Sequence, residues 1–245
     1  MTELLTLESL MALTTLTILE IVLGIDNIIF ISILCNKLPE KDQRKARNIG
    51  LALAMILRLV MLSLISFIVQ METELFAIAG YGFSGRDLIL LAGGLFLIAK
   101  STTELSHKLK PQEHKEQQEK RAGTTMFKVL LQVVVLDLVF SLDSILTAIG
   151  LTEEIILMMI AVVLSVGVMM IFSGAISRFI NKNPTLQVLA LAFLILIGFT
   201  LALEINALHV EIPKGYIYFA VAFSLIVEFI NIKVRTLKNG KKNMA

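Results

Sequence analysis

Charged and proline-containing stretches divide the sequence into seven apolar segments of about 20 residues or more. The segments cover residues 7–34, 48–70, 87–106, 125–150, 155–178, 185–206 and 215–233. Helices of this length cross a bilayer, and a helix satisfies its own backbone hydrogen bonds in lipid. The mean hydropathy of +0.83 is also typical of membrane proteins. The sequence therefore predicts an all-α, polytopic membrane protein with seven transmembrane helices, in which residues 1–245 form a single transmembrane domain.

The loops between the segments indicate helix boundaries and orientation. All four prolines fall between segments, where they interrupt no helix: Pro39, Pro111, Pro184 and Pro213. Most Lys and Arg residues lie in the loops after segments 1, 3 and 5 and in the tail: Lys37, Lys41, Arg44, Lys45, Arg47, Lys108, Lys110, Lys115, Lys120, Arg121, Arg178, Lys182, Lys233, Arg235, Lys238, Lys241 and Lys242. The other side carries only Arg86 and Lys214. Because cytoplasmic loops are enriched in basic residues, the N-terminus is predicted outside and the C-terminus in the cytoplasm.

Three further features limit the class of protein. No positively charged region precedes segment 1, so this segment is expected to be a retained span and not a cleaved signal peptide. Cys35 is the single cysteine, which excludes an intrachain disulfide. No basic tract with interleaved aromatic residues indicates nucleic-acid binding. The expected partner of this chain is therefore the lipid bilayer, and no nucleic acid is expected.

Two apolar segments contain the same acidic motif. Segment 1 has Glu20 followed by Asp26 and Asn27, and segment 4 has Asp137 followed by Asp143 and Ser144. Both copies read acid, five residues, acid, small polar residue. A carboxylate inside a membrane segment costs several kcal/mol and is by default a candidate functional group. The two copies therefore mark one duplicated site.

Helical phase leaves two arrangements of this site open. Glu20, Gly24 and Asn27 share one face of a helix, whereas Asp26 lies about 120° away from Glu20. The same holds in the second copy. Either the helices unwind near Gly24 and Ser141, which would turn all four acids inward, or the second acid of each copy faces a neighbouring helix. Small residues at these positions also favour a close crossing of segments 1 and 4.

The duplication extends to the halves of the chain. Residues 7–106 and 125–206 each hold three segments, residues 107–124 form a polar cytoplasmic loop between them, and segment 7 at 215–233 is an addition. Because three is odd, the second half enters the membrane from the opposite side. A weaker echo relates the aliphatic run before Glu104 to the run before Glu204. The prediction is a 3+3 inverted repeat plus one additional helix.

The motif residues offer only oxygen atoms as ligands. The candidate metal-binding set is Glu20, Asp26, Asn27, Asp137, Asp143 and Ser144. Oxygen ligands suit hard divalent cations such as Mn²⁺, Mg²⁺ or Ca²⁺. The structural alternative is buried ion pairing, in which Arg58 neutralises Glu20 or Asp26 and Lys100 acts likewise. The residues alone predict a membrane cation site or a buried pairing of charges.

Three stretches give the sequence a family resemblance: Leu19–Asn27, Leu136–Ser144 and Pro213–Phe219. The chain resembles the TerC family of bacterial integral membrane proteins over about residues 7–235, and it is most similar to the short members without a cytoplasmic extension. The resemblance implies a multi-pass protein of the bacterial inner membrane, related to inverted-repeat exporters with members implicated in Mn²⁺ efflux. The family acids carry over onto Glu20, Asp26, Asp137 and Asp143.

Three functions fit these observations. The first is an exporter of a divalent cation, Mn²⁺ by the resemblance, with a carboxylate site between helices 1 and 4, alternating access and possible proton coupling. This protein would not be an enzyme and would have no prosthetic group, the cation being its substrate. The second is an intramembrane aspartyl hydrolase with one acid from each motif copy. The third is a membrane protein that delivers metal or organises partners.

Overall fold

The structure is a computed structural model that describes residues 6–70, 73–78, 81–109, 125–149, 154–205 and 212–242. Inside these ranges, some side chains lie outside the described part: residues 25–26, 66–67, 78, 143, 146–149, 214 and 236–242. The predicted loop at 107–124 falls largely outside the described residues.

Helices cover all seven apolar segments. Their bounds are α1 Leu7–Cys35, α2 Glu40–Ser63, α3 Ile65–Gln70, α4 Gly85–Leu109, α5 Met126–Ile149, α6 Ile155–Lys182, α7 Pro184–Leu203 and α8 Lys214–Lys242. Six of them contain a stretch long and apolar enough to cross a membrane. The two exceptions among the described helices are the six-residue α3 and α5, which has 24 residues and contains the second acidic motif. The polytopic helical architecture is confirmed, and a membrane crossing by α5 stays a prediction.

Three details differ from the prediction. Helix α2 begins at Glu40, directly after Pro39 and about two turns before its apolar stretch, and the acidic residues Glu40 and Asp42 in its first turn favour this start. The same stretch is interrupted at Leu64, so that a short α3 follows α2 in place of one continuous helix. An antiparallel hairpin of β1 Glu74–Ile78 and β2 Tyr81–Ser84 then leads into α4, which the all-α prediction did not include.

A reciprocal cap fixes the start of α4. The Ser84 backbone N–H donates to Asp87 Oδ2 over 2.9 Å, and the Asp87 backbone N–H donates to Ser84 Oγ over 3.1 Å. This exchange satisfies N–H groups that have no partner within a helix. The buried Asp87 is thereby explained as a capping residue.

Helices α4 and α7 run antiparallel and cross at two glycines. A Cβ on Gly94 would stand 2.5 Å from the Gly198 carbonyl oxygen, and a Cβ on Gly198 would stand 2.8 Å from the Gly94 carbonyl oxygen. Small residues let helix backbones approach closely in membranes, where van der Waals packing drives association. The glycine pair therefore permits this crossing.

Two other helix pairs run parallel. In the first pair, α1 packs on α6. Gly24 of α1 contacts Met169 of α6, and Asn36, directly after α1, is hydrogen-bonded to Asn181. In the second, α2 packs on α5, with Gly50 against Val133 near one end. Helices α2 and α6 also contact each other and join the two pairs. The result is a bundle of six long helices around a buried centre.

Polar contacts distinguish the two ends of the bundle. At the end that holds the α1–α2 and α6–α7 connections, called here the loop end, Lys37 bonds Glu104, and Lys108 bonds Gln187. Burial lowers the pKa of Lys37, and its bond to Glu104 opposes that shift. The opposite end, called the hairpin end, brings Arg86 within 3.9 Å of Glu204. The predicted cytoplasmic loops after segments 1 and 5 thus lie together at the loop end.

Helix α8 packs loosely on this bundle. None of its apolar stretch Gly215–Arg235 is buried, and two of its side-chain contacts lie at the loop end. There Thr185 bonds Glu228, and the rings of Phe179 and Phe229 stack with centroids 5.8 Å apart. Toward the hairpin end, a cleft separates α8 from the bundle.

The glycine crossing generates a stability prediction. Gly94→Ala is expected to destabilise the protein by about 1–3 kcal/mol because its Cβ would overlap the backbone of α7. Gly167→Ala is the matched control, since a Cβ there meets nothing within 4 Å and alanine favours a helix by up to about 1 kcal/mol. Thermal unfolding of the purified proteins measures both. Equal melting temperatures would contradict the close crossing.

Candidate functional site

The helices that carry the acidic motif are unbroken. Helix α1 is helical through Gly24 and α5 is helical through Ser141. The unwinding considered from the sequence is therefore wrong for this structure. Gly24 lies in tight contact with α6: a Cβ on Gly24 would lie 2.5 Å from Met169 Sδ. Gly24 thus allows α1 to pack closely on α6, whereas the sequence suggested a crossing with α5.

Arg58 of α2 joins the first acids of both motif copies. Its Nη1 donates to Glu20 Oε2 over 2.5 Å, and its Nη2 and Nε donate to Asp137 Oδ1 over 2.9 and 3.3 Å. All three side chains are at most 6% exposed. Such a buried pair is tolerated only when hydrogen bonds and opposite charge compensate for lost hydration. This charged triad sits between α1, α2 and α5.

Neighbouring polar groups of both motif copies complete the triad. Asn27 Nδ2 donates to Asp137 Oδ1 over 3.3 Å, and Ser141 Oγ donates to Asp137 Oδ2 over 3.0 Å. Because Ser141 follows Asp137 by four residues, the two side chains share one face of α5. Ser144 Oγ donates to the Ser141 carbonyl over 3.2 Å and lines the same cavities as Arg58.

Four of the six predicted site residues are therefore brought together. Glu20, Asn27 and Asp137 belong to one hydrogen-bonded cluster, with Ser144 beside it. The side chains of Asp26 and Asp143 lie outside the described residues. Within the described part of the chain, no group of three His, Cys, Asp or Glu side chains could hold a metal ion. Metal binding by the six residues stays a prediction.

The sequence predicted only part of the role of Arg58. A single arginine in an apolar stretch indicated a partner for Glu20 or Asp26, but its bond to Asp137 required knowledge of how α2 packs. Lys100, the other cation considered, lies 3.1 Å from Glu104 one turn along its own helix. It therefore pairs away from the motif.

Two cavities touch the triad. A small one of about 10 Å³, room for about one water, is lined by Glu20, Arg58 and Ser144 with apolar residues such as Leu16 and Met158. The second is the cleft beside α8, which holds about 350 Å³ and also reaches Arg58 and Ser144. Both lie on the hairpin-end side of the triad.

Large buried side chains fill the loop-end side of the triad. Phe30, Leu34 and Val133 are each at most 2% exposed and belong to the apolar core. Protein interiors of this kind are close-packed and leave few voids larger than a water molecule. The described conformation is thus packed toward the loop end and has open space toward the hairpin end.

These features define a class of protein: a multi-pass helical membrane protein with a charged triad buried at its centre. The comparison with known families names the class. The model of the integral membrane protein TerC family matches residues 5–243, and the chain belongs to this family.

Similar proteins are found in bacteria. A UPF0053 protein of Haemophilus influenzae is 49% identical over 230 residues, which cover 94% of this chain and 96% of that protein. The inner membrane protein YgdQ of Escherichia coli is 48% identical over 229 residues, or 94% of each chain. The inner membrane protein YoaE of the same species is 48% identical over 219 residues, but these are only 42% of its length. No solved structure matches the chain.

The triad generates a second stability prediction. Arg58→Gln is expected to destabilise the protein by about 3–5 kcal/mol, because two buried carboxylates lose their counter-charge. The exposed Arg235 of α8 provides a matched control, and Arg235→Gln should change stability by less than about 0.5 kcal/mol. Unfolding can be followed by the reaction of the buried Cys35 thiol with a fluorogenic maleimide.

A third variant separates lost charge compensation from lost packing. Adding Glu20→Gln and Asp137→Asn to Arg58→Gln removes every charge of the triad and should recover part of the lost melting temperature. If Arg58→Gln unfolds at the same temperature as Arg235→Gln, the triad does not stabilise the fold.

Proposed function

We propose that this protein is a secondary transporter that exports a divalent cation, Mn²⁺, across the bacterial inner membrane. Glu20 and Asp137 would bind the ion at the interface of the two halves, with Asn27 and Ser144 as neutral oxygen ligands and Asp26 and Asp143 as further carboxylates. The inner membrane location is supported by the names of its relatives YgdQ and YoaE.

One observation carries the proposal: the first acids of both motif copies meet at one buried point. Glu20 and Asp137 are 117 positions apart in sequence, yet both bond the Arg58 guanidinium. Ionisable groups inside a membrane protein are costly and mark ion or proton pathways. Two convergent carboxylates with amide and hydroxyl oxygens nearby are suited to a hard divalent cation.

The pairing of helices supports an inverted repeat. In an inverted repeat, α1, α2 and α4 of the first half would correspond to α5, α6 and α7 of the second half. Under that symmetry, the α1–α6 contact is equivalent to the α5–α2 contact. The α4–α7 contact joins two corresponding helices and is therefore equivalent to itself under the same symmetry. These three are the most extensive helix contacts among the described residues. In such proteins, substrates bind near the midplane between repeats, which alternately expose the site.

Charge balance suggests how Arg58 takes part. Two carboxylates carry two negative charges. A divalent cation neutralises both charges, whereas one guanidinium neutralises only one of them. Because Arg58 bonds both acids, the cation can use both as ligands only when Arg58 moves away. We infer that Arg58 holds the site while it is empty, so that the unloaded carrier does not bury two unpaired carboxylates.

The cavities support one half of the transport cycle. Open space lies on the hairpin-end side of the triad, which the charged loops predict to face outward. The loop-end side is filled by Phe30, Leu34 and Val133. This conformation would let an ion or proton exchange with the outside, and the opposite packing would admit Mn²⁺ from the cytoplasm.

A gradient would drive transport. The sequence contains no Gly-x₄-Gly-Lys-Ser/Thr motif that would bind the phosphates of ATP. Carboxylates that share a site raise each other's proton affinity, so protons are plausible counter-ions for Mn²⁺. Entry of protons from outside would then release the metal there.

The triad also bears on the hydrolase alternative. An aspartyl dyad shares one proton between two carboxyl groups at close range. Between Glu20 and Asp137 stands a guanidinium that bonds both acids, so these two residues do not form such a dyad in this conformation. The side chains of Asp26 and Asp143, the other acids considered for a dyad, lie outside the described residues.

Transport is tested with the purified protein in proteoliposomes that contain a Mn²⁺-sensitive dye. Asp137→Asn and Glu20→Gln should each lower Mn²⁺ flux by at least about 10–100-fold, the loss typical even of residues that only support metal ligands. Glu228→Gln is the matched control, because Glu228 bonds Thr185 at the loop end, away from the triad. Asp26→Asn tests the carboxylate whose side chain lies outside the described residues.

The outcome separates the proposed roles. Flux in both triad variants equal to that of Glu228→Gln would refute the site. A wild-type protein that folds in vesicles but moves no Mn²⁺ alone would favour the metal-delivery or scaffold alternative.

A further inference from the structure

Three arginines gather at the loop end, outside the proposed transport site. Arg44 and Arg47 lie one turn apart near the start of α2, and Arg178 lies near the end of α6. Arg44 and Arg178 are close enough to Arg47 to repel it electrostatically. Like charges of this density are unfavourable without a counter-ion.

Arg47 is the buried member of the cluster. It is 7% exposed, and its Nη1 donates to Ser177 Oγ of α6 over 3.1 Å. Its Nε is buried and has no hydrogen-bond partner within the described part of the chain. Among the same residues, no carboxylate pairs with Arg47. A buried guanidinium with an unused donor calls for a specific partner, since nearly all buried polar groups are hydrogen-bonded.

The space between the guanidinium groups is kept open by a glycine. A Cβ on Gly174 would stand 3.7 Å from Arg178 Nη1 and 4.0 Å from Arg47 Nη2. Gly174, Ser177 and Arg178 share one face of α6, which is the face that meets α2. Two guanidinium groups thus converge on a point that no side chain of the described residues occupies.

The depth of this point in the membrane indicates what would occupy it. Residues 44–47 directly precede the apolar stretch of α2, and Arg178 ends that of α6. The cluster therefore lies at the edge of the hydrocarbon region, where lipid headgroups are found. Basic pockets between transmembrane helices on the cytoplasmic side bind anionic lipid headgroups.

We propose that Arg44, Arg47, Arg178 and Ser177 form a binding site for a phosphate group at the loop end, between α2 and α6. Guanidinium groups bind phosphate through two parallel hydrogen bonds, and Arg47 has an unused donor. The phosphate belongs to an anionic phospholipid or to a free anion, and both sources are tested below. The site is separate from the charged triad and does not depend on the transport proposal.

The melting temperature of purified protein in neutral detergent measures binding. Phosphatidylglycerol is expected to raise it by about 3–6 °C at saturation. Arg47→Gln and Arg178→Gln should weaken the apparent affinity by about tenfold, the effect of losing one charge-assisted hydrogen bond. Arg178 is exposed, so its variant should fold even if Arg47→Gln does not. Lys45→Gln is the control, since Lys45 is exposed on the opposite face of α2 and its loss changes net charge equally.

A substitution at the glycine provides an independent test. Gly174→Asp places a carboxylate between the two guanidinium groups and should raise the melting temperature without lipid while abolishing the response to phosphatidylglycerol. Gly174→Asn, which is similar in size but neutral, should do neither. The proposal would be overturned if both variants changed the melting temperature and the lipid response equally, or if Gly174→Asn produced these changes and Gly174→Asp did not.

The source of the phosphate follows from two further titrations. With an anionic lipid as ligand, inorganic phosphate at equal concentration has little effect and zwitterionic phosphatidylcholine gives less than half the shift. A full shift by inorganic phosphate alone supports the site and assigns it to a free anion. No shift with any of the three, or equal responses of Arg178→Gln and Lys45→Gln, refutes the site.

Discussion

The buried bond between Arg58 and the two acids Glu20 and Asp137 is the interaction on which the rest of the structure depends. Three charges inside an apolar bundle are tolerated only while opposite charge and hydrogen bonds compensate for their lost hydration. The bond fixes α1, α2 and α5 relative to one another. It also connects stability with the proposed function, because a substrate cation would have to take the place of the guanidinium.

Around this centre, the bundle combines tight and loose packing. Gly94 and Gly198 bring α4 against α7, and Gly24 brings α1 against Met169 of α6. Such contacts hold helix pairs close together. The cleft beside α8 and the small cavity next to Arg58 leave space on one side of the triad. Close pairs with space beside the triad would suit the proposed exposure of a central site to one side at a time.

Sequence reasoning reached the parts of this structure that depend on local patterns. Apolar length located the helices, and the spacing of Glu20 and Asn27 placed both on the buried face of α1. It did not find the hairpin before α4, whose short strands lie between longer apolar runs. Nor could it identify both partners of Arg58 or the role of Gly24, because each depends on which helices are neighbours. Helical phase fixes the direction of a side chain, whereas packing decides what it meets.

The central claim is that the substrate cation and Arg58 compete for the same two carboxylates. A structure determined by diffraction with Mn²⁺, using the anomalous signal of manganese to locate the ion, tests it most directly. The account predicts one manganese peak within coordination distance of Glu20 and Asp137, with the Arg58 guanidinium moved away from both. Manganese bound elsewhere while Arg58 still bridges the two acids would contradict it.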